Sequence, residues 1–187
     1  MDKKKLLKII IPISLVLIVA GIWIFKNVGK GSVSIVSLSE DKGLENFVKS
    51  NNNEEDFVLE ATSIDLDVLK GYNLPIIIDF GANSCIPCKK MAPVLKTLNA
   101  EMRGKAIIKF IDVWKNGAVA NDFPIQVIPS QVFINADGTP YVPSDDMQIK
   151  FDMYSHKDTY EHAFTVHQGG LTEDQIRAIL VDMGVDE

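Results

Sequence analysis

From Phe57 onward, apolar residues fall into short continuous runs bounded by turn residues, and between those runs they recur at helical spacing. The runs predict strands and the spaced positions predict helices. "FVLEA" (57–61) predicts a short strand. "SIDLDVLKGY" predicts a short helix with Ser63 as its cap and Ile64, Leu66, Val68 and Leu69 as its apolar face. "LPIIIDFGA" is apolar on both faces, as a buried central strand must be. "CKKMAPVLKTLNAEMRG" carries Met91, Val94, Leu95 and Leu98 at helical spacing and closes on Gly104. "KAIIKFIDVW" predicts a strand, "NGAVANDF" a short helix, and "SQVFINADGTPY" a strand that runs into an Asp-Gly turn. "AFTVHQGG" predicts the last strand, and "LTEDQIRAILVDMG" a helix capped by Thr172 with the stripe Ile176, Ile179, Leu180 and Met183. The order β-α-β-α-β-α-β-β-α defines an α/β domain, a mixed sheet flanked by helices.

The first 56 residues follow a different pattern. "IIIPISLVLIVAGIWIF" (9–25) contains no charge, and counted from Leu6 the apolar stretch is broken only by Lys8. About 20 apolar residues span the hydrocarbon core of a bilayer. Trp23 and Phe25 suit its far interface. A cleaved signal peptide shares this basic-then-apolar order. The run is long for one, however, and the small residues Ala20 and Gly21 are followed by more apolar sequence. No cysteine follows, so lipoprotein processing is excluded. Residues 1–28 are therefore expected to be a basic tip and transmembrane anchor. Residues 29–56, rich in Gly, Ser and Asn at both ends, are expected to be a tether, and 57–187 the folded domain.

Charge orients this arrangement. Residues 1–30 hold six lysines against Asp2, and the remainder holds 13 basic and 24 acidic residues, a formal charge of −11. The basic tip favours a cytoplasmic N-terminus, which would place the domain outside the cytoplasm. An acidic domain offers nucleic acid no phosphate-binding surface.

The only cysteines, Cys85 and Cys88, stand two residues apart in "NSCIPCKK". As a clip they close almost no loop, and disulfide stabilisation grows with loop length. As a zinc site they supply half of four ligands, and His156, His162 and His167 lie about 70 residues on without ligand-like spacing, so no metal is expected. The three histidines read as exposed or hairpin-packed side chains. The CxxC spacing does suit redox chemistry. At the start of a helix, the first sulfur meets free backbone N–H groups and the positive end of the dipole, which favour its thiolate. Cys88, one turn on, is within reach of a mixed disulfide. Pro87 fits the first helical turn.

"IIIDFGANSCIPCKKMAP" resembles the thioredoxin active-site strand and helix, VDFWAxWCGPCKxxAP, with Asp79, Phe80, Ala82, Cys85, Pro87, Cys88, Lys89, Ala92 and Pro93 in register. "FPIQVIPSQVFI" resembles the family's YxIxxIPTxxxF stretch, with Ile128 and Pro129 at its cis-proline position. "IKFIDV" resembles the middle strand, and "HQGGLTEDQIRAIL" the last strand and helix. The resemblance covers about residues 57–187 and implies a thioredoxin fold. It implies Cys85 as the attacking thiolate, Cys88 as the resolving thiol and Asp79 as a buried proton acceptor. Ile128 and Pro129, with Ile86 and Pro87, would form the substrate edge, and Lys109 would support proton transfer. No cofactor is implied. Gly81 and Ser84 replace the family's tryptophans and Ile86 its glycine, so the site should be more open and its potential its own. Residues 141–163 exceed the family's hairpin connection and either extend its strands or form a lid.

Combined with the anchor, these features favour a membrane-tethered reductase of extracytoplasmic disulfide-containing client proteins. Its electrons would come from a transmembrane thiol carrier of the cytochrome c biogenesis type. The alternatives are a disulfide-forming oxidase of the same fold, or a non-catalytic binding module; the joint presence of Cys85, Cys88, Asp79 and Pro129 speaks against the latter.

Overall fold

A computed structural model describes residues 54–186 of the chain. The expected anchor and nearly all of the expected tether lie outside the described residues. Among the described residues no helix is long and apolar enough to cross a membrane.

The run before the cysteines, apolar except for Asp79, forms β1 (Ile76–Gly81), buried at every position. It pairs in parallel with β2 (Ile107–Asp112) and antiparallel with β3 (Ser130–Ile134). β3 pairs with β5 (His162–Gln168), and β5 with β4 (Asp152–Ser155), both antiparallel. The sheet order is β2-β1-β3-β5-β4, a mixed sheet with β1, β3 and β5 inside. A strand buried on both faces needs cover on both sides, which explains why every position but Asp79 lacks a polar side chain. On one face Ile77, Ile108 and Phe133 pack against α2 (Ile86–Glu101) through Met91, Leu95 and Leu98, and against α4 (Glu173–Asp182) through Ile176, Ile179 and Leu180. On the other face Ile76, Ile78, Phe80, Ile107, Ile111 and Val132 pack against Leu69 of α1 (Leu66–Lys70) and Phe123. Val119 and Ala120 at α3 (Gly117–Ala120) pad that face.

Local chemistry sets the helix ends. Thr172 and Gln175 form a reciprocal capping box at α4, as its sequence predicts. At α1 the cap is Asp65, not the expected Ser63. Its carboxylate accepts from the Asp67 and Val68 N–H groups at 3.1 and 3.2 Å. Carboxylate and hydroxyl serve equally at this position, so composition did not separate them.

Two expectations about the sheet change. The strand expected at 57–61 is reduced to one isolated parallel bridge, Glu60 to Phe110. Just before it, the Glu55 and Val58 carbonyls accept from the Lys109 ammonium at 2.9 and 2.8 Å, and not from a neighbouring strand. The long segment 141–163 supplies the edge strand β4, so it extends the sheet. Its start is fixed by the buried Tyr141, whose hydroxyl donates to Asp182, while the Ser144 N–H donates to the same carboxylate at 3.0 Å.

Candidate active site

Cys85 is the N-cap residue of α2, with extended backbone angles. Its Sγ accepts from the Cys88 N–H at 3.4 Å. Cys85 is half-buried, whereas Cys88 is buried against the sheet, and the two are joined by a disulfide. The turn before them is held from outside the helix. Asp112, at the end of β2, accepts from the Asn83 N–H at 3.2 Å and from the Trp114 N–H at 3.1 Å. Ile86 and Pro87 occupy the first turn of the helix and are exposed, Ile86 at 71%. Lacking an N–H, Pro87 leaves no donor unpaired where helical bonding has not begun. Pro93 lies inside the same helix, which continues past it.

The Ile128–Pro129 peptide is cis. Pro129 is buried, and its carbonyl accepts from the Gly169 N–H at 2.9 Å. Ser130 follows it, bonds back to the Val127 carbonyl at 2.8 Å, and pairs with Phe80 of β1. The Pro129 loop and the turn leading to Cys85 therefore emerge at the same end of adjacent strands. Among the described residues nothing bonds the Ile128 N–H or carbonyl, so that edge is open.

Asp79 sits on β1 with no exposure. Burial pushes its carboxyl up to about 7, against the pull of a 2.7 Å hydrogen bond donated by Gln131 Nε2 to Oδ1. Oδ2 is buried without a partner among the described residues. A Cβ on Gly81 would lie 3.3 Å from Asp79 Oδ2 and 3.3 Å from the Cys88 Cβ. With the Phe110 ring edge 2.9 Å from the same point, Asp79 and Cys88 approach each other beside Gly81 where there is no room for a side chain. A cavity of about 180 Å³, lined by Ala82, Asn83, Cys88, Lys89 and Phe110 among others, opens beside Cys88.

Lys109 is not part of this assembly. It pairs with Ile78 in the β1–β2 register and so projects to the sheet face opposite Asp79, with its ammonium on the Glu55 and Val58 carbonyls. Burial pushes its pKa down while Asp56 and Glu55 oppose the shift. The expected support of proton transfer by Lys109 is therefore corrected: side chains alternate along a strand, and it falls on the wrong side. His156 is exposed, His162 Nε2 lies 2.9 Å from the Thr165 hydroxyl, and His167 Nδ1 lies 2.9 Å from the Lys150 carbonyl.

Sequence reasoning missed Gln131, Asp112 and Met91. Gln131 carried a signal, as an amide in an otherwise apolar strand running beside the strand that holds an acid. Asp112 and Met91 carried none, because their contacts arise from chain segments 29 and 40 or more residues away.

One sulfur at the surface and one beneath it, joined as a disulfide beside a buried carboxyl, define a thiol–disulfide oxidoreductase site. The model of the thioredoxin family matches residues 56–148. Thioredoxin H4 of Arabidopsis thaliana is 36% identical over 95 residues, 49% of this chain and 80% of that protein. A thioredoxin of Mycolicibacterium smegmatis is 40% identical over 80 residues, 42% of this chain and 70% of that protein. The crystal structure of chloroplastic thioredoxin z aligns with 24% identity and a TM-score of 0.48, over 67% of this chain and 93% of that one. The chain belongs to the thioredoxin family and is a thioredoxin-type thiol–disulfide oxidoreductase.

Proposed function

We propose that the protein is a membrane-tethered reductase of disulfides in extracytoplasmic proteins. In the reduced protein the Cys85 thiolate attacks a client disulfide, forms a mixed disulfide and expels one client thiolate. The Cys88 thiol then passes its proton to Asp79, which approaches it beside Gly81, and its sulfur attacks Cys85 Sγ. That step closes the Cys85–Cys88 disulfide and releases the second client thiol. Two electrons have moved to the client. An extended client segment pairs with the open Ile128 edge, with Ile86 and Pro87 beside it.

The observation that carries this reading is the asymmetry of the two sulfurs: Cys85 at the helix cap is reachable, while Cys88 is 4% exposed and approaches the Asp79 carboxyl beside Gly81. The basic tip and the apolar run at 9–25 support the tether and its orientation. Outside the cytoplasm a reductase needs electrons delivered across the membrane, which supports a transmembrane thiol carrier as donor. Insulin reduction by the full chain with a supplied dithiol, together with the equilibrium potential against glutathione, tests the direction of flow. Turnover with a potential in the reducing range supports the reading. A strongly oxidising potential without insulin reduction would reassign the protein as an oxidase. Protease protection of the domain in sealed inside-out membrane vesicles supports its extracytoplasmic placement, and digestion there opposes it.

A further inference from the structure

Gln131 is fully buried, and its amide is committed on one side only. Nε2 lies 2.7 Å from Asp79 Oδ1, 3.2 Å from the Gly169 carbonyl and 3.6 Å from Met91 Sδ. All three are acceptors here. A carbonyl oxygen accepts only, so the end of the amide facing Gly169 must be the NH2 group. Its two hydrogens go to Gly169 and to Asp79. Met91 Sδ is itself occupied, accepting from the Leu171 N–H at 3.4 Å. Gln131 can therefore donate to Asp79 and cannot accept from it. A proton on Oδ1 would point at a donor, so the carboxyl protonates on Oδ2. That is the atom without a partner, on the side of Gly81 and Cys88.

We infer that Gln131 is a positioning residue which, by donating to Oδ1, directs the proton of Asp79 onto Oδ2, the oxygen that serves Cys88. The inference rests on the reading of Asp79 as proton acceptor in the resolving step. Gly169 completes the device: at φ +119° it occupies backbone space that favours glycine, while its N–H bonds Pro129 and its carbonyl bonds Gln131. The substrate edge and the amide are thus held by one residue. The titratable groups on the packed elements are Cys88 on α2, Asp112 on β2 across from Gly81, His167 on β5 across from Gln131, and Glu60, Lys89 and Lys96 on the nearby cavity. None of these is a principal influence on Asp79, which answers to burial and to Gln131.

The test is a pH titration of the oxidised full chain by NMR, in which the cysteines do not titrate. The Gln131 side-chain amide is assigned through its contact with Met91, and the His167 ring is followed separately. The amide resonances are expected to move with the Asp79 carboxyl carbon, at one midpoint. In Gln131→Met, the Asp79 midpoint and the pH profile for release of the second client thiol are expected to shift upward together, by about one pH unit. An amide that stays still while Asp79 titrates overturns the inference. So does a Gln131→Met protein that is slower with an unmoved profile. Should that variant not fold, the wild-type titration decides by itself. In Asp79→Asn the inflection in thiol release should vanish; its survival would remove the proton-acceptor role, whatever the wild-type amide does.

Discussion

Asp79 Oδ2 and the Cβ of Cys88 each lie 3.3 Å from the point where a side chain on Gly81 would begin. This close approach is compatible with glycine, at a position where the family usually places tryptophan. The Phe110 ring edge lies 2.9 Å from the same point, so a methyl group there must displace something. Gly81→Ala is expected to destabilise the fold by about 1–3 kcal/mol. It should also slow release of the second client thiol more than formation of the mixed disulfide. Rapid-quench kinetics with a disulfide peptide separates the two steps; equal slowing of both would count against a specific role for the approach of Asp79 to Cys88.

Asp79 makes the fold sensitive to pH in a definite direction. Its folded pKa, about 7, is above its ordinary value of 3.8, so the native state holds its proton more tightly than the unfolded chain. The associated stability is fully present below about pH 4 and lost as pH rises through about 7, a loss of about 4 kcal/mol. Asp79→Asn should gain about 3–4 kcal/mol over wild type at pH 8 relative to the same comparison at pH 4. Denaturant unfolding of the oxidised proteins at both pH values measures this. A difference between variant and wild type that does not change with pH would contradict the burial of an ionisable carboxyl.

Lys109 tests the opposite face of the same strands. Its ammonium satisfies the carbonyls of Glu55 and Val58, and removing it leaves both without that donor. Lys109→Met should lower stability by about 1–3 kcal/mol. The pH profile of disulfide reduction should keep its midpoint, since the residue does not reach Asp79. A moved midpoint would restore Lys109 to the proton path.

The two thiols of the reduced protein should differ in reactivity. Cys85 is half-buried with its Sγ bonded by a backbone N–H, whereas Cys88 lies beneath it. Brief treatment with iodoacetamide at neutral pH should modify Cys85 about tenfold or more ahead of Cys88. Peptide mapping gives the ratio, and comparable labelling would refute the assignment of attacking and resolving roles.

The sequence made the sheet legible where burial and pattern agree. β1 reads as central because it is apolar on both faces, and α4 reads from its stripe and its capping box. The edge strand β4 does not, since in Asp152–Ser155 the alternation of half-buried and exposed positions does not match polarity: Asp152 is half-buried and Met153 exposed. The segment at 57–61 looked like a strand by composition, but Lys109, 51 residues on, takes the Val58 carbonyl within it. Of the site, Cys85 and Cys88 were legible from their spacing, and Asp79 and Pro129 from the resemblance to the thioredoxin motifs. The face on which Lys109 falls required the register, and the role of Gln131 required knowing that β3 runs beside β1.

The central claim is that Cys85 attacks and Cys88 resolves. The most direct measurement is trapping by the Cys88→Ser full chain, expressed in cells and captured under acid quench. Mass spectrometry should find mixed disulfides on Cys85 with extracytoplasmic proteins, absent from Cys85→Ser and from the double variant. If Cys88→Ser accumulates no mixed disulfide on Cys85, the account is contradicted.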